Sequence, residues 1–239
     1  MSNRALILAG GSGSRMGQDI PKQFINVHDK PILIYTLEAF QKHPMVDDIS
    51  VICISGWSDM VSAYARQFGI DKLTNIVLGG DSGQESIRNG VFSLEGTAAA
   101  DDIIIIHDGI RPLIDDYVLT DVIEKCKQYG NAVTAMPYNE QIFIADDDIS
   151  TISYIRRETV RRVSTPQAYK FEVLDRVYHE AFDKGIGLHG SSYANTLMVE
   201  MGERLYFSAG SERNIKLTTK DDIELFKAYL KLEKDDWMK

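Results

Sequence analysis

Cysteine is scarce: the chain has 239 residues and two cysteines, Cys53 and Cys126, in no CxxC spacing. That excludes a disulfide framework and a thiolate metal cluster and fits a reducing compartment, so a cytoplasmic location is expected. Basic charge is also short. The 26 Lys and Arg stand against 35 Asp and Glu, a net −9, so no broad positive field is offered to a nucleic-acid backbone, and nucleic acid is not expected as a partner. Apolar runs such as Ile103 to Ile106 fall far below the roughly 20 residues that cross a bilayer. No membrane partner is expected, and the apolar stretch Ala5 to Leu8 is too short for a signal-peptide core. Glycine and proline, 18 and 6, are too few for collagen-like or low-complexity chains.

What is present is a hydrophobic fraction of 44 %, enough for one large core, and a single domain over 1–239 is expected. Short β-branched runs read as buried strands at Ala5–Leu8, Ile49–Ile54, Asn75–Leu78, Ile103–Ile106 and Ala132–Met136. Helical periods lie between them at Pro31–Lys42, Met60–Phe68, Glu85–Leu94 and Tyr117–Tyr129. This alternation predicts an α/β, Rossmann-like fold, a mostly parallel sheet with helices on both faces and ligands at the carboxyl ends of the strands. The rhythm breaks at about 138–156, where Ile142–Ile144 and Ile149–Ile155 flank Asp146-Asp147-Asp148, and a protruding β-arm is expected. Helices resume at Phe171–Lys184 and about Tyr193–Met201, then a strand at Arg204–Ser208. A final helix spans Lys220–Leu232, with Thr219 as its N-cap.

The first strand runs into Ala9-Gly10-Gly11-Ser12-Gly13-Ser14-Arg15-Met16-Gly17, then Pro21-Lys22-Gln23. Glycines let backbone N–H groups converge on phosphate oxygens while Arg15 and Lys22 neutralise them, so a triphosphate site is expected. A P-loop fails on spacing, and a dinucleotide fingerprint fails because Met16 stands where a third glycine is needed. The fourth strand ends in His107-Asp108-Gly109-Ile110-Arg111-Pro112. Asp108 emerges at the sheet's rim, where one carboxylate plus phosphate oxygens is a usual setting for Mg²⁺. The strand's two-residue period turns His107 to the other face, as a packed histidine. Gly79-Gly80-Asp81-Ser82-Gly83-Gln84-Glu85-Ser86, Thr165-Pro166-Gln167 and Asn214-Ile215-Lys216 are ordinary turns taken singly.

In this order, from about Ala5 to Tyr229, these motifs resemble the polyol-phosphate cytidylyltransferase family. Its branches include methylerythritol-phosphate cytidylyltransferases of isoprenoid synthesis and ribitol-5-phosphate cytidylyltransferases of teichoic-acid and capsule synthesis. The resemblance implies a CTP triphosphate cradled by Ala9, Gly10, Gly11 and Gly13, with Arg15 and Lys22 stabilising the transition state. It also implies cytosine recognition by Gly80, Asp81 and Ser86, Mg²⁺ on Asp108, and further CTP-site residues at Arg111 and Thr165. Arg157 and Lys216 would hold the acceptor phosphate. Members are homodimers whose arms interlock, offering an arginine to the neighbour's site. Departures fall on the acceptor side: Gly83 where arginine is frequent, Glu140-Gln141 for Asp-Thr, and Ser192-Tyr193 for Thr-Asp. These departures count against methylerythritol phosphate as acceptor, and Leu8-Ala9-Gly10-Gly11 and Lys22-Gln23-Phe24 resemble the ribitol-phosphate branch, so ribitol 5-phosphate is the favoured acceptor. A CTP-binding sensor or scaffold without turnover is the alternative of another class.

Overall fold

A computed structural model describes residues 1–11, 20–188 and 193–234. In chain order the elements are β1 (Asn3–Ala9), β2 (Asn26–Val27), β3 (Lys30–Pro31), α1 (Ile32–Lys42), β4 (Asp48–Cys53), α2 (Ser58–Gln67) and β5 (Leu73–Leu78). There follow α3 (Gly83–Phe92), β6 (Ile103–Asp108), α4 (Asp116–Tyr129), β7 (Asn131–Pro137), β8 (Ile142–Ile144) and β9 (Ser153–Ile155). The chain closes with β10 (Arg161–Lys170), α5 (Phe171–Lys184), α6 (Ala194–Glu200), β11 (Phe207–Ala209) and α7 (Lys220–Lys234). One-turn 3₁₀ helices cover Lys22–Phe24 and Arg157–Thr159.

Seven strands form one sheet in the order β11-β7-β10-β6-β1-β4-β5. β1 pairs in parallel with β4 and β6, β4 with β5, and β11 with β7. The expected mostly parallel α/β sheet is therefore present. β10 is antiparallel to both β6 and β7. Its strand signal is masked, because Arg161 and Arg162 open it and Pro166 lies inside it at a register shift between Val163 and Gln167. Proline inside a central strand ordinarily argues against one. Here the shift keeps Pro166 out of the ladder, and Gln167 to Lys170 pair with Ile103 to Ile106.

The strand period divides the core. Ile103 and Ile105 pack on the α1 and α4 side with Leu37, Phe40 and Val118. Ile104 and Ile106 pack on the other side with Ile87, Val91, Leu174 and Tyr178 of α3 and α5. Burying each isoleucine stabilises by roughly 1.5–3 kcal/mol, so the strand that carries Asp108 is clamped from both faces. A third cluster seats α7 through Ile223 and Phe226 against Ile110 and Leu217. Thr219 caps α7 as expected: its Oγ1 accepts from Asp222 N–H at 3.2 Å, and Asp222 Oδ2 accepts from Thr219 N–H at 2.7 Å.

Several element bounds differ from expectation: α2 and β5 each begin two residues early, at Ser58 and Leu73, and the strand read at Arg204–Ser208 is Phe207–Ala209. α3 begins at Gly83 because Ser82 and Glu85 form a reciprocal capping box, two residues earlier than the apolar period indicates. The arm's second strand is Ser153–Ile155 rather than Ile149–Ile155. Asp147 Oδ1 accepts from the N–H groups of Ile149 and Ser150 at 2.9 and 2.7 Å, so the acidic turn continues through the residues that read as strand. β2 and β3 make a tight hairpin with His28 and Asp29 at φ 48 and 63, absent from the apolar pattern because each strand has two residues.

Candidate active site

β1, β4, β5 and β6 all end on one rim of the sheet, and a cleft of about 730 Å³ opens there. Ala9, Gly10 and Gly11 line it from β1, Gly80, Asp81 and Ser86 from the turn into α3, and Asp108 from β6. Lys22, Thr165 and Lys216 arrive from three further segments. These ten of the expected site residues share one cavity. Arg15 and Gly13 lie outside the described residues. Arg157 does not line the cleft. It is half-exposed beside the arm, its Nη1 donating to the Asn139 carbonyl at 3.3 Å.

Each wall is positioned by local chemistry. The Gln23 amide donates to the carbonyls of Ala9 and Gly11 at 2.7 and 3.0 Å, fixing the start of the glycine loop. Ser86 Oγ accepts from Gly80 N–H at 3.0 Å and donates to Ser82 O at 2.9 Å. A methyl on Gly80 would overlap Glu85, and one on Gly10 would come to 3.3 Å from Ser86 Oγ. Gly80 is therefore required by the close fold of its own turn, and the turn after β1 passes tightly over Ser86.

Asp108 is buried, and its Oδ2 accepts from Arg111 Nε at 2.9 Å and Lys216 Nζ at 3.2 Å. Burial alone pushes this carboxyl up, but the Lys216 and Arg111 charges outweigh it and hold it below the usual carboxylate range. Its N–H donates to Thr165 Oγ1 at 3.1 Å. Arg111, expected among the CTP-site residues, is not one of the residues lining the cleft and pairs with Asp108. Its Nη1 donates to the Asn214 carbonyl at 2.8 Å, and Leu217 N–H donates to the Ile110 carbonyl at 2.9 Å, so it braces the loop that carries Lys216. His107 is buried on the opposite face beside Phe40, as the strand period requires. Its Nε2 donates to the Arg111 carbonyl at 3.0 Å, its Nδ1 is buried with no partner among the described residues, and burial pushes its pKa down to about 4.

Gln84 does not line the cleft but supports it from the core, a role that sequence reasoning missed. It is buried and bridges Tyr178 to the Tyr193 main chain, 109 residues away. The Ser82-x-x-Glu85 capping pattern is the signal that would have placed it in the first turn of α3, facing inward. Of the acceptor-side departures, Gly83 and Tyr193 line the cleft, Glu140 and Gln141 are exposed at the arm's base, and Ser192 lies outside the described residues. Among the described residues, the one trio of close potential metal ligands is Glu95, Asp175 and His179, none of which lines the cleft.

Glycine turns, two lysines and a buried carboxylate at the carboxyl rim of a mostly parallel sheet define a nucleotide-phosphate-binding α/β protein. Residues 4–232 match the family described as IspD, 2-C-methyl-D-erythritol 4-phosphate cytidylyltransferase. The chain belongs to this family and is a nucleotidyltransferase. It is similar to a ribitol-5-phosphate cytidylyltransferase of Lacticaseibacillus paracasei, 57 % identical over 227 residues covering 95 % of this chain and 97 % of that one. It is 32 % identical over 231 residues to a 2-C-methyl-D-erythritol 4-phosphate cytidylyltransferase of Clostridium novyi, covering 95 % and 96 %. The crystal structure of the 4-diphosphocytidyl-2C-methyl-D-erythritol synthase of Anaerococcus prevotii has a TM-score of 0.81 over 96 % of this chain and 98 % of that one, at 22 % identity, a likeness of fold. No helix among the described residues is long and apolar enough to cross a membrane.

Proposed function

We propose that the protein transfers CMP from CTP to ribitol 5-phosphate, giving CDP-ribitol and pyrophosphate. The observation that carries this reading is a full-length relative of that description at 57 % identity, on a chain whose cleft gathers Lys22, Asp108 and Lys216. A phosphate monoester has a second pKa near 6, so the attacking oxygen is already ionised at neutral pH and no general base is required. That oxygen bonds to the α-phosphorus of CTP while the bond from the α-phosphorus to the bridging oxygen breaks, and pyrophosphate leaves in line. Lys22 and the glycine-loop N–H groups face the triphosphate, and Lys216 holds the acceptor phosphate. They are aimed where charge builds up during the displacement.

Asp108 is the residue that would hold Mg²⁺. It stays ionised, and both its ion pairs fall on Oδ2, so among the described residues Oδ1 takes no hydrogen bond and suits a hard cation shared with phosphate oxygens. When bound, the metal would neutralise charge on the triphosphate. We also read the protein as a homodimer joined through the arm. Phe143, Ile144, Ile149, Ile152 and Tyr154 are more than half exposed there, on a hairpin too small to order itself in water. Arg157, remote from its own cleft, would then serve the neighbour's. The test is pyrophosphate release with CTP, Mg²⁺ and either ribitol 5-phosphate or methylerythritol phosphate. Release with ribitol 5-phosphate at the higher kcat/KM is expected. Binding of CTP with no release on a panel of polyol phosphates would instead favour a sensor.

A further inference from the structure

We propose that Tyr193 sets acceptor specificity as a positioning residue: its ring covers the Lys216 ammonium and aims that charge at the acceptor phosphate without cancelling it. This rests on the proposed polyol-phosphate cytidylyltransferase reaction. Lys216 Nζ lies 5.2 Å from the centre of the Tyr193 ring and 3.2 Å from Asp108 Oδ2, so the ammonium is held between an aromatic face and a carboxylate. The distance is within the reach of a cation–π contact. Tyr193 and Lys216 line the same cleft.

The ring's position is dictated from the core. The Tyr193 carbonyl accepts from Gln84 Nε2 at 3.1 Å, Thr196 Oγ1 at 2.8 Å and Leu197 N–H at 3.3 Å. Gln84 Oε1 in turn accepts from the Tyr178 hydroxyl at 2.9 Å, and both Gln84 and Tyr178 are buried. Every one of these anchors acts on the main chain at 193, so a change of side chain leaves them in place. The turn that carries Asp81 and Ser82 therefore holds, through Gln84, the residue that covers Lys216.

The chemistry of the ring matters because of the charges around it. Among the described residues, Lys216 and Arg111 outnumber Asp108 by one positive charge in this cluster before any cation is counted. A neutral ring keeps that charge for an incoming phosphate dianion. A carboxylate at 193 would pair with Lys216 and cancel it, so an acceptor would have to be held by other groups. Through this choice of residue the site favours an acceptor held chiefly by its phosphate.

The test is a steady-state comparison of Tyr193→Phe, Tyr193→Leu and Tyr193→Asp at saturating CTP and Mg²⁺. Tyr193→Leu should raise the ribitol 5-phosphate KM about 2- to 5-fold, the worth of an exposed cation–π contact. Tyr193→Phe should restore it to within about twofold of the wild type, and Tyr193→Asp should raise it more than about tenfold. The KM for CTP should stay within about twofold throughout, whereas a purely structural role would move both together. An unchanged acceptor KM in Tyr193→Leu, or a lowered one in Tyr193→Asp, overturns the proposal. Acetic anhydride labelling of Lys216 in the full chain, read by mass spectrometry, needs no turnover. It should be faster in Tyr193→Leu than in the wild type or Tyr193→Phe, and equal rates in all three also overturn it. A wild type that turns over no polyol phosphate would defeat the proposed reaction, while the labelling still decides whether the ring covers Lys216.

Discussion

Acidification should destabilise this protein through His107. Its Nε2 hydrogen is committed to the Arg111 carbonyl, and its Nδ1 is buried with no acceptor among the described residues, so a second proton would be both desolvated and unpaired. Burial therefore pushes the pKa down to about 4 from an ordinary 6.5, against smaller opposing pulls from the Arg111 carbonyl and then Asp108, with the Arg111 and Lys216 charges adding to the depression. For a base lowered in the folded state, the unfolded chain takes up the proton first. Stability is complete above about 6.5 and is lost as pH falls towards 4. The full gap is worth ~3 kcal/mol, of which about 2 kcal/mol is gone at pH 5. Urea unfolding of the wild type and of His107→Asn at pH 7.5 and pH 5 isolates this contribution. Asp48 and Asp175, both pushed up by burial, titrate in either protein and cancel in the comparison. The wild type should lose about 2 kcal/mol more than the variant over that interval. Equal losses would refute the reasoning, because they would mean that His107 takes its proton equally readily folded and unfolded.

Lys216→Met should lower kcat/KM for the polyol phosphate by about 10²- to 10³-fold, the usual loss for one transition-state charge contact, while calorimetry still detects CTP. A near-normal kcat/KM would remove Lys216 from the reaction. Gly80→Ala should cost about 1–3 kcal/mol in a urea melt and weaken CTP binding, because the methyl overlaps Glu85 and breaks the capping box of α3. Chelation with EDTA should abolish pyrophosphate release, and added Mg²⁺ should restore it. Release that survives chelation contradicts a metal on Asp108. Ile149→Lys with Ile152→Lys should convert a dimer to a monomer in sedimentation, and a wild type already monomeric at micromolar concentration refutes the arm interface.

Much of the architecture is legible in short stretches of chain. Four isoleucines before His107-Asp108 name a strand buried on both faces, and the two-residue period assigns Asp108 to the cleft and His107 to the core. Glycines after β1 and β5 mark turns where backbone must approach backbone. These are local facts, set by pleat, cap and turn chemistry, and they need no knowledge of what lies across the sheet. The insertion of β10 between β6 and β7 was not legible. Its arginines and Pro166 oppose a strand locally, and only the ladder to Ile103–Ile106 stabilises one. Nor could spacing show that Arg111 turns back onto Asp108, or that Gln84 reaches Tyr193 across 109 residues. Periods and turn chemistry within single elements placed Gly10, Gly80 and Asp108 on the rim of the sheet. Only the closed fold decided which of them touch, because contacts between distant segments depend on how the whole core packs rather than on any period within one element.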